Sequence, residues 1–358
     1  MITKLLVHRR RLALAQPFVT AVRRADHLDV TLVEARDDAG RSGWGEAAVS
    51  WRVTGESPES VTAVVAGPLA DAVVGRDPAD PDLPGMIAGA VWGNAAARSA
   101  VECAVLDLAA QRAGRSFAAG LGAASSSVRT DMTLSAASVA ETEAAAVSAV
   151  ERGFGTIKLK VNAASDLVPL LRTVRAAVGD DISIRIDANQ AWSVADAVGR
   201  LHAVERAGIA IELVEQPVAA ADIAGLATVR SRVGIPVLAD EAIRTDDDLD
   251  RILAFGAANA VNLKLAKSGG PTATLRLATR ASDAGVSVFV GCMLESAVGV
   301  AAAAAVAGAC APNRVHDLDG GLWLHGSPVV GGARYERDRI LLSERDGLGI
   351  ETITEETI

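Results

Sequence analysis

Five short segments of this 358-residue chain carry residue types that metal-assisted acid–base chemistry requires. Each segment ends a run rich in β-branched residues, and the residues concerned are Lys158 with Lys160, Asp187, Glu215, Asp240 and Lys264. From Lys158 onward the successive segments are 29, 28, 25 and 24 residues apart. One strand and one helix fill such an interval, so the spacing predicts that these side chains meet at one edge of a parallel sheet.

The three acidic residues predict a site for a hard cation. Asp187, Glu215 and Asp240 would follow consecutive strands, and three neighbouring buried carboxylates repel one another strongly unless a cation joins them. A set of oxygen ligands with room for water suits Mg²⁺ better than a metal that prefers nitrogen or sulfur. Each acid alone could instead cap the helix after its strand. Three at equivalent positions, flanked by two lysine-bearing strands, favour the metal.

The lysines indicate the type of reaction. Lys158 and Lys160 share a strand face about 7 Å apart. At an effective dielectric of about 20 their repulsion of about 2.4 kcal/mol should lower one pKa toward that of a general base. Lys264 lies four strands further round and should approach from the opposite side. Two such lysines suit a 1,1-proton transfer through a metal-stabilised enediolate. Lys267 is expected to begin the next helix and face solvent.

The elements that position these residues form two kinds of module. From about residue 128, repeated strand–helix units predict a parallel sheet, and their number favours a closed barrel over an open doubly wound sheet. The first 120 residues differ and suggest an α+β module. Its predicted strands lie at about 3–15, 28–36 and 43–49, and its predicted helices follow at about 58–75 and 86–114. The glycine-rich tail after residue 319 is expected to return to this module.

Composition narrows the class of protein. With 44 acidic and 35 basic residues and a net charge of −9, the chain is unlike a nucleic-acid binder. Its longest apolar run, 297–311, is too short to cross a membrane, and the N-terminus lacks a signal-peptide pattern. Three widely separated cysteines indicate reduced thiols and a cytoplasmic protein, and they are Cys103, Cys292 and Cys310.

The ordered motifs resemble those of the muconate-cycloisomerase branch of the enolase superfamily. They are KLK at 158–160, DAN at 187–189, VEQP at 214–217, ADE at 239–241, NLK…GG at 262–270 and GWGE at 43–46. The resemblance implies an α/β fold, a modified TIM barrel of (β/α)7β type under an α+β capping domain that the tail completes. It places the domains at 1–120, 121–320 and 321–358, and it implies a homo-oligomer. The resemblance also implies that Asn189, Glu241 and Asn262 lie next to the metal ligands and support them.

The eighth predicted strand narrows the resemblance further. It ends in Asp317-Leu318-Asp319, which is similar to dipeptide epimerases, where two aspartates hold the α-ammonium group of the substrate. An aspartate pair that forms a turn before Gly320 is the alternative. The segment 17–23 resembles the mobile cap loop of Ala-Glu epimerases, which implies that Arg23 pairs with a glutamate side chain. Other residues expected to line the pocket are Ser135, Leu294 and Glu295.

The expected function is therefore a Mg²⁺-dependent epimerase that inverts the α-carbon of the C-terminal residue of a dipeptide, with L-Ala-D/L-Glu as first candidate. An o-succinylbenzoate synthase or N-acylamino-acid racemase would share the lysines and the metal, and a muconate cycloisomerase would share most of the set. None of these needs Asp317 and Asp319 as an ammonium clamp. A small-anion-binding barrel without activity is disfavoured because every catalytic position is occupied.

Overall fold

The computed structural model describes residues 1–19, 24–135 and 137–354. The chain opens with an antiparallel sheet in the order β1-β2-β3, formed by β1 (Ile2–Val19), β2 (Arg24–Asp37) and β3 (Ser42–Glu46). A π-helical turn at Val65–Leu69 interrupts the helices that follow. These are α1 (Pro58–Val64), α2 (Ala70–Val73), α3 (Leu83–Ala90), α4 (Ala95–Arg112) and α5 (Phe117–Gly120). Strands followed by helices confirm the predicted α+β character of this N-terminal module.

Helix α4 lies directly against β3 because two glycines of the GWGE motif permit close backbone approach. A Cβ atom at Gly43 or Gly45 would collide with carbonyl oxygens of α4. Asp107 of α4 accepts a hydrogen bond from the backbone N–H of Trp44 at 2.8 Å. The motif is thus required by the packing of a helix on a strand.

The middle of the chain alternates strands and helices, as the spacing predicted. Its strands are β4 (Ser127–Thr130), β5 (Met132–Leu134), β6 (Thr156–Lys160), β7 (Ser183–Asp187), β8 (Leu213–Glu215), β9 (Val237–Ala239), β10 (Ala260–Lys264), β11 (Ser287–Gly291) and β12 (Val315–His316). The helices between them are α6 (Val139–Glu151), α7 (Leu167–Val178), α8 (Val194–Arg206), α9 (Ile223–Arg232), α10 (Asp246–Phe255), α11 (Leu265–Ser268), α12 (Pro271–Asp283) and α13 (Ala297–Cys310).

The strands close into a barrel. From β5 to β11 each strand pairs in parallel with the next in chain order. On the other side of the barrel, Asp317 forms a parallel bridge with Gly291, which ends β11, and β12 pairs in parallel with β4. Only one residue separates β4 from β5, so together they form the first barrel strand. The eighth strand therefore joins the seventh to the first, which confirms the (β/α)7β barrel. Its strands have buried apolar residues on both faces, as a sheet covered by helices requires.

The tail after the barrel contacts both modules. It contains a 3₁₀ turn at Gly320–Trp323 and the strands β13 (Val329–Gly331), β14 (Arg334–Glu336), β15 (Arg339–Leu341) and β16 (Ile350–Ile353). Strand β15 pairs with β4 of the barrel. The backbone N–H of Leu348 donates to Asp107 of α4 at 2.7 Å. The tail thus returns to the N-terminal module, as predicted.

Two buried carboxylates of the N-terminal module cap helices of the barrel. Glu102 of α4 accepts a hydrogen bond from the backbone N–H of Thr272 at 2.7 Å, at the start of α12. Glu46 of β3 accepts from Ser296 and Gly299 N–H at 3.0 Å, at the start of α13. Because helix N-termini favour negative charge, these contacts fasten the module over the barrel. Within the described residues no helix is long and apolar enough to span a membrane.

Candidate active site

A cavity of about 530 Å³ lies where the barrel strands end beneath the N-terminal module. Its floor includes side chains from strand ends of the barrel, and its outer wall comes from β1, β2 and the loop after β3. The floor residues that come from the strand ends include Lys158, Lys160, Lys264, Asp317 and Asp319. Of the residues whose spacing was noted in the sequence, Lys158, Lys160, Asp240 and Lys264 line this cavity, whereas Asp187 and Glu215 are not among its lining residues.

The three predicted metal-binding acids occupy successive strand ends. Asp187 and Glu215 are direct partners in the register of β7 and β8, and Asp240 directly follows β9. All three are almost fully buried. Burial, together with the charge of Asp187, raises the pKa of Glu215 well above its usual value although Lys158 opposes this. A negative charge on Glu215, buried beside Asp187, is therefore unfavourable in the absence of a further cation.

Lys158 and Lys264 reach the same carboxylate from opposite sides of the barrel. The Nζ atom of Lys158 lies 2.5 Å from Oδ1 of Asp317, and that of Lys264 lies 3.5 Å from Oδ2. Lys158 also lies 3.4 Å from Glu215, and Lys264 lies 2.9 Å from Asp240. Lys264, on β10, lies four strands further round the sheet than Lys158, on β6, as predicted. The two amines consequently face one common space.

The predicted lowering of a lysine pKa by its neighbour is wrong for Lys158. Burial alone would lower the pKa of this ammonium, but Asp317, Glu215, Asp131 and Asp187 surround it and raise the pKa well above the usual value. The prediction considered only the charge of Lys160 and omitted the carboxylates of neighbouring strands. Lys160 itself lies against one of these, with its Nζ 2.5 Å from Oδ2 of Asp187.

The prediction that Lys267 faces solvent is also wrong. It is buried in the short helix α11, and its Nζ contacts Oδ1 and the backbone carbonyl of Asp240. It also donates to the carbonyl of Asn262 at 3.1 Å. Burial lowers the pKa of Lys267 against the opposing charge of Asp240. The helix begins earlier than the spacing suggested, which turns this side chain inward beneath the strand ends.

The donor set around the acids fits a hard cation. Asn189 donates to Oε1 of Glu241 at 3.2 Å, and Asn262 donates to Glu215 at 3.1 Å. Yet Oδ1 of Asn189, Oδ1 of Asn262 and Oε2 of Glu241 have no hydrogen-bond partner among the described residues. Unpartnered buried oxygens are rare in folded proteins. Together with the buried carboxylates of Asp187, Glu215 and Asp240 at successive strand ends, they provide oxygen donors of the kind that Mg²⁺ and its water ligands require.

A second group of acids lies beside the first. Asp131, Asp317 and Asp319 each offer an oxygen within 4.8 Å of the others. Arg185 balances Asp131 at 2.8 Å, and Lys158 balances Asp317. Asp319 accepts from the backbone N–H of Thr133 at 2.7 Å, and burial and the charge of Asp317 raise its pKa. Both aspartates of the DxD motif therefore face the cavity, where a further cation would be stabilised.

The remaining predicted residues have different positions. Leu294 lines the cavity. Glu295 does not: it lies against Gly299 of α13, and burial and the charge of Glu46 raise its pKa to about 8. Ser135 lies outside the cavity lining and accepts from the backbone N–H of Val19 at 3.1 Å. Arg23 lies outside the described residues.

Sequence reasoning missed two residues that shape the site. Gly291 is the register partner of Lys264, and a Cβ there would lie 2.8 Å from the Cε atom of that lysine. Asp131 is the partner of Arg185 and lies between β4 and β5. The glycine that ends a predicted strand, in FVGC, was a usable signal for close approach. Asp131 had no comparable signal.

Comparison with known families agrees with this architecture. Residues 2–122 match the family described as mandelate racemase / muconate lactonizing enzyme, N-terminal domain. Residues 141–356 match the family described as enolase C-terminal domain-like. The chain therefore belongs to the mandelate racemase / muconate lactonizing enzyme family of the enolase superfamily.

Individual relatives cover nearly the whole chain. An L-Ala-D/L-Glu epimerase of Clostridium acetobutylicum is 37% identical over 95% of this chain and 96% of its own. A substrate-liganded L-Ala-D/L-Glu epimerase from Bacillus subtilis superposes with a TM-score of 0.96 at 32% identity, covering 99% of both chains. A dipeptide epimerase from Enterococcus faecalis, complexed with Mg and L-Leu-L-Tyr, gives 0.93 at 32% identity over 98% of this chain and 99% of the other.

Proposed function

We propose that this protein is a Mg²⁺-dependent dipeptide epimerase that inverts the α-carbon of the C-terminal residue by 1,1-proton transfer. The observation that carries the proposal is the placement of Lys158 and Lys264 on opposite sides of one space, both within 3.5 Å of Asp317. An α-carbon held between two amines can lose its proton to one and receive a proton from the other, which inverts its configuration.

Asp187, Glu215 and Asp240 are the residues that would hold Mg²⁺. When bound, this ion supplies Lewis-acid charge to the substrate's carboxylate, which makes the α-proton more acidic. Lys160 contacts Asp187, and Lys267 contacts Asp240. We assign these two lysines the role of holding the acids in place, with Asn189, Glu241 and Asn262 as further supports.

Asp317 and Asp319 are proposed to bind the α-ammonium group of the dipeptide. Two buried carboxylates beside Asp131 favour a cation in the same part of the cavity. This feature favours a dipeptide over the substrates of an o-succinylbenzoate synthase, an N-acylamino-acid racemase or a muconate cycloisomerase, since those lack a free α-amine. An L-Ala-D/L-Glu dipeptide is the first candidate, and Arg23 is proposed to contact its glutamate side chain.

We also propose the division of the chain into a capping domain (1–120), a barrel (121–320) and a tail (321–358), together with a cytoplasmic location and a homo-oligomeric state. The separate sheets of the two modules support the division. All three cysteines are free thiols, two of them buried, which suits a reducing compartment.

Solvent exchange tests the proposed function. The protein is incubated with L-Ala-L-Glu, and separately with a panel of other dipeptides, in D₂O containing Mg²⁺. We expect deuterium at the α-carbon of the second residue and a growing amount of its epimer, both suppressed by EDTA. Mass spectrometry and NMR measure the two changes. No α-deuteration in any dipeptide would refute the proposal, and exchange in an N-succinyl amino acid alone would favour a racemase.

A further inference from the structure

The outer wall of the cavity carries one arginine whose charge no described carboxylate neutralises. Arg52, in the loop after β3, lines the cavity and is exposed. Among the described residues it forms no ion pair and donates no side-chain hydrogen bond. The other strong cations of the lining are paired: Arg24 lies 3.3 Å from Asp26, and the three lysines contact the acids of the floor.

The backbone around Arg52 is held in one place. The N–H groups of Val53, Thr54 and Gly55 donate to the carbonyl of Ser50 at 3.2, 2.9 and 2.9 Å. Just after this turn, the buried Glu56 accepts from two N–H groups at the start of α4, at 2.9 and 3.0 Å. The turn therefore presents the guanidinium to the cavity from a fixed base.

Arg52 lies where a substrate group that the floor leaves unassigned could reach it. With the ammonium group at Asp317 and Asp319 and the α-carbon between Lys158 and Lys264, the side chains of both residues remain, and the second of them extends from the α-carbon that undergoes inversion. The walls still open to it include Phe18, Trp51 and Arg52 of the N-terminal module, beside the apolar Met293 and Leu294 of the barrel. Of these five residues only Arg52 carries a charge.

Other charges of this wall are already paired. Asp29 lies 2.7 Å from Arg11, and Asp26 is the partner of Arg24. A basic substrate side chain would have to displace Arg11 from Asp29 or Arg24 from Asp26 to find a carboxylate partner on this wall. An acidic side chain would instead form a new charge-assisted hydrogen bond with Arg52.

We propose that Arg52 binds the acidic side chain of the substrate's second residue, so that dipeptides ending in glutamate or aspartate are the preferred class. This inference rests on the function proposed above. It concerns a residue different from Arg23 and makes the loop after β3 a determinant of specificity.

The test compares L-Ala-L-Glu with its neutral isostere L-Ala-L-Gln in the wild type, R52Q, R52K and R206Q. Arg206 is a matched control because it is exposed and lies at the C-terminal end of α8, outside the cavity lining. The ratio of kcat/KM for the two dipeptides is measured by α-deuteration, and circular dichroism verifies that each variant folds.

We expect the wild type to prefer the glutamate dipeptide and R52Q to reduce that ratio about tenfold, mainly through KM, with R52K partly restoring it. The ratio in R206Q should equal that of the wild type. An unchanged ratio in R52Q, or a wild type that prefers the glutamine or a lysine dipeptide, would overturn the assignment of Arg52. These outcomes differ from failure of the proposed function, in which no dipeptide exchanges at all.

Discussion

At the scale of single residues, Asp317 is the centre of the site. Its two oxygens contact Lys158 and Lys264, and one of them also accepts from Asn262 at 2.8 Å. Burial raises the pKa of Asp317, but the two lysines more than offset this and lower it to about 2. The carboxylate therefore stays ionised and available to a substrate ammonium group.

A single lysine substitution should separate the two halves of the reaction. In K264A we expect inversion to fall at least about 1000-fold, because one of the two amines is removed. Exchange of the α-proton on the face served by Lys158 should persist. Deuterium incorporation, measured separately for each epimer of the dipeptide, distinguishes these events. The exposed Lys4 serves as control, since K4A removes a lysine outside the cavity. Exchange of both epimers in K264A at wild-type rates would contradict the two-base scheme.

At the scale of elements, the site depends on how the N-terminal module is attached to the barrel. The loop between β11 and α13 supplies Met293 and Leu294 to the cavity. Directly after it, Glu46 of β3 accepts hydrogen bonds from the backbone N–H groups of Ser296 and Gly299. One buried carboxylate thus joins a strand of the module to the wall of the cavity.

Removing this carboxylate should destabilise the protein. In E46A, N–H groups at the start of α13 lose their acceptor and a buried space is left, so we expect a loss of about 2–4 kcal/mol in the free energy of unfolding. Urea denaturation followed by circular dichroism measures it. In the control E59A, which removes an exposed partner of Arg9, the change should be much smaller than in E46A because solvent screens this ion pair. Equal effects of the two substitutions would show that Glu46 is not a structural anchor.

At the scale of the whole molecule, closure of the barrel involves a buried histidine. Nδ1 of His316 accepts from the backbone N–H of Val290 at 3.0 Å, and Nε2 lies 3.0 Å from the carbonyl of Ala311. The eighth strand is thereby tied to the seventh and to the end of α13. Burial lowers the pKa of His316 to about 4, and the nearby Arg185 and Arg314 act in the same direction, against Asp317.

This lowered pKa predicts a pH dependence of stability. Between pH 6.5 and about 4 the unfolded chain binds a proton at His316 that the folded protein does not, so stability should fall as the pH falls through this window. The contribution of His316 at neutral pH that is lost by pH 4 is about 3 kcal/mol. In H316N the slope of stability against pH should be shallower over the same window. Urea denaturation at several pH values measures both proteins, and identical slopes would contradict the assignment.

The order in which the candidate catalytic and metal-binding residues follow the barrel strands could be predicted from the sequence alone. Parallel strands place their C-terminal ends at one edge, so the regular spacing from Lys158 to Lys264 was enough to bring the markers together. The chain has only five lysines, and four of them lie at this edge. Periodicity likewise identified the N-terminal α+β module and the barrel, because both depend on short-range patterns.

The electrostatic state of the site was decided by the tertiary structure. The pKa of Lys158 is raised because four carboxylates from other strands of the barrel surround it, and Lys267 is buried because α11 starts directly at the end of β10. Neither fact follows from neighbours along the chain. Local sequence determines which element forms and which residue ends it, whereas charges act through space and sum over every strand that meets there. For this reason the order of the site residues along the chain was predictable, whereas their pKa values and their degree of burial were not.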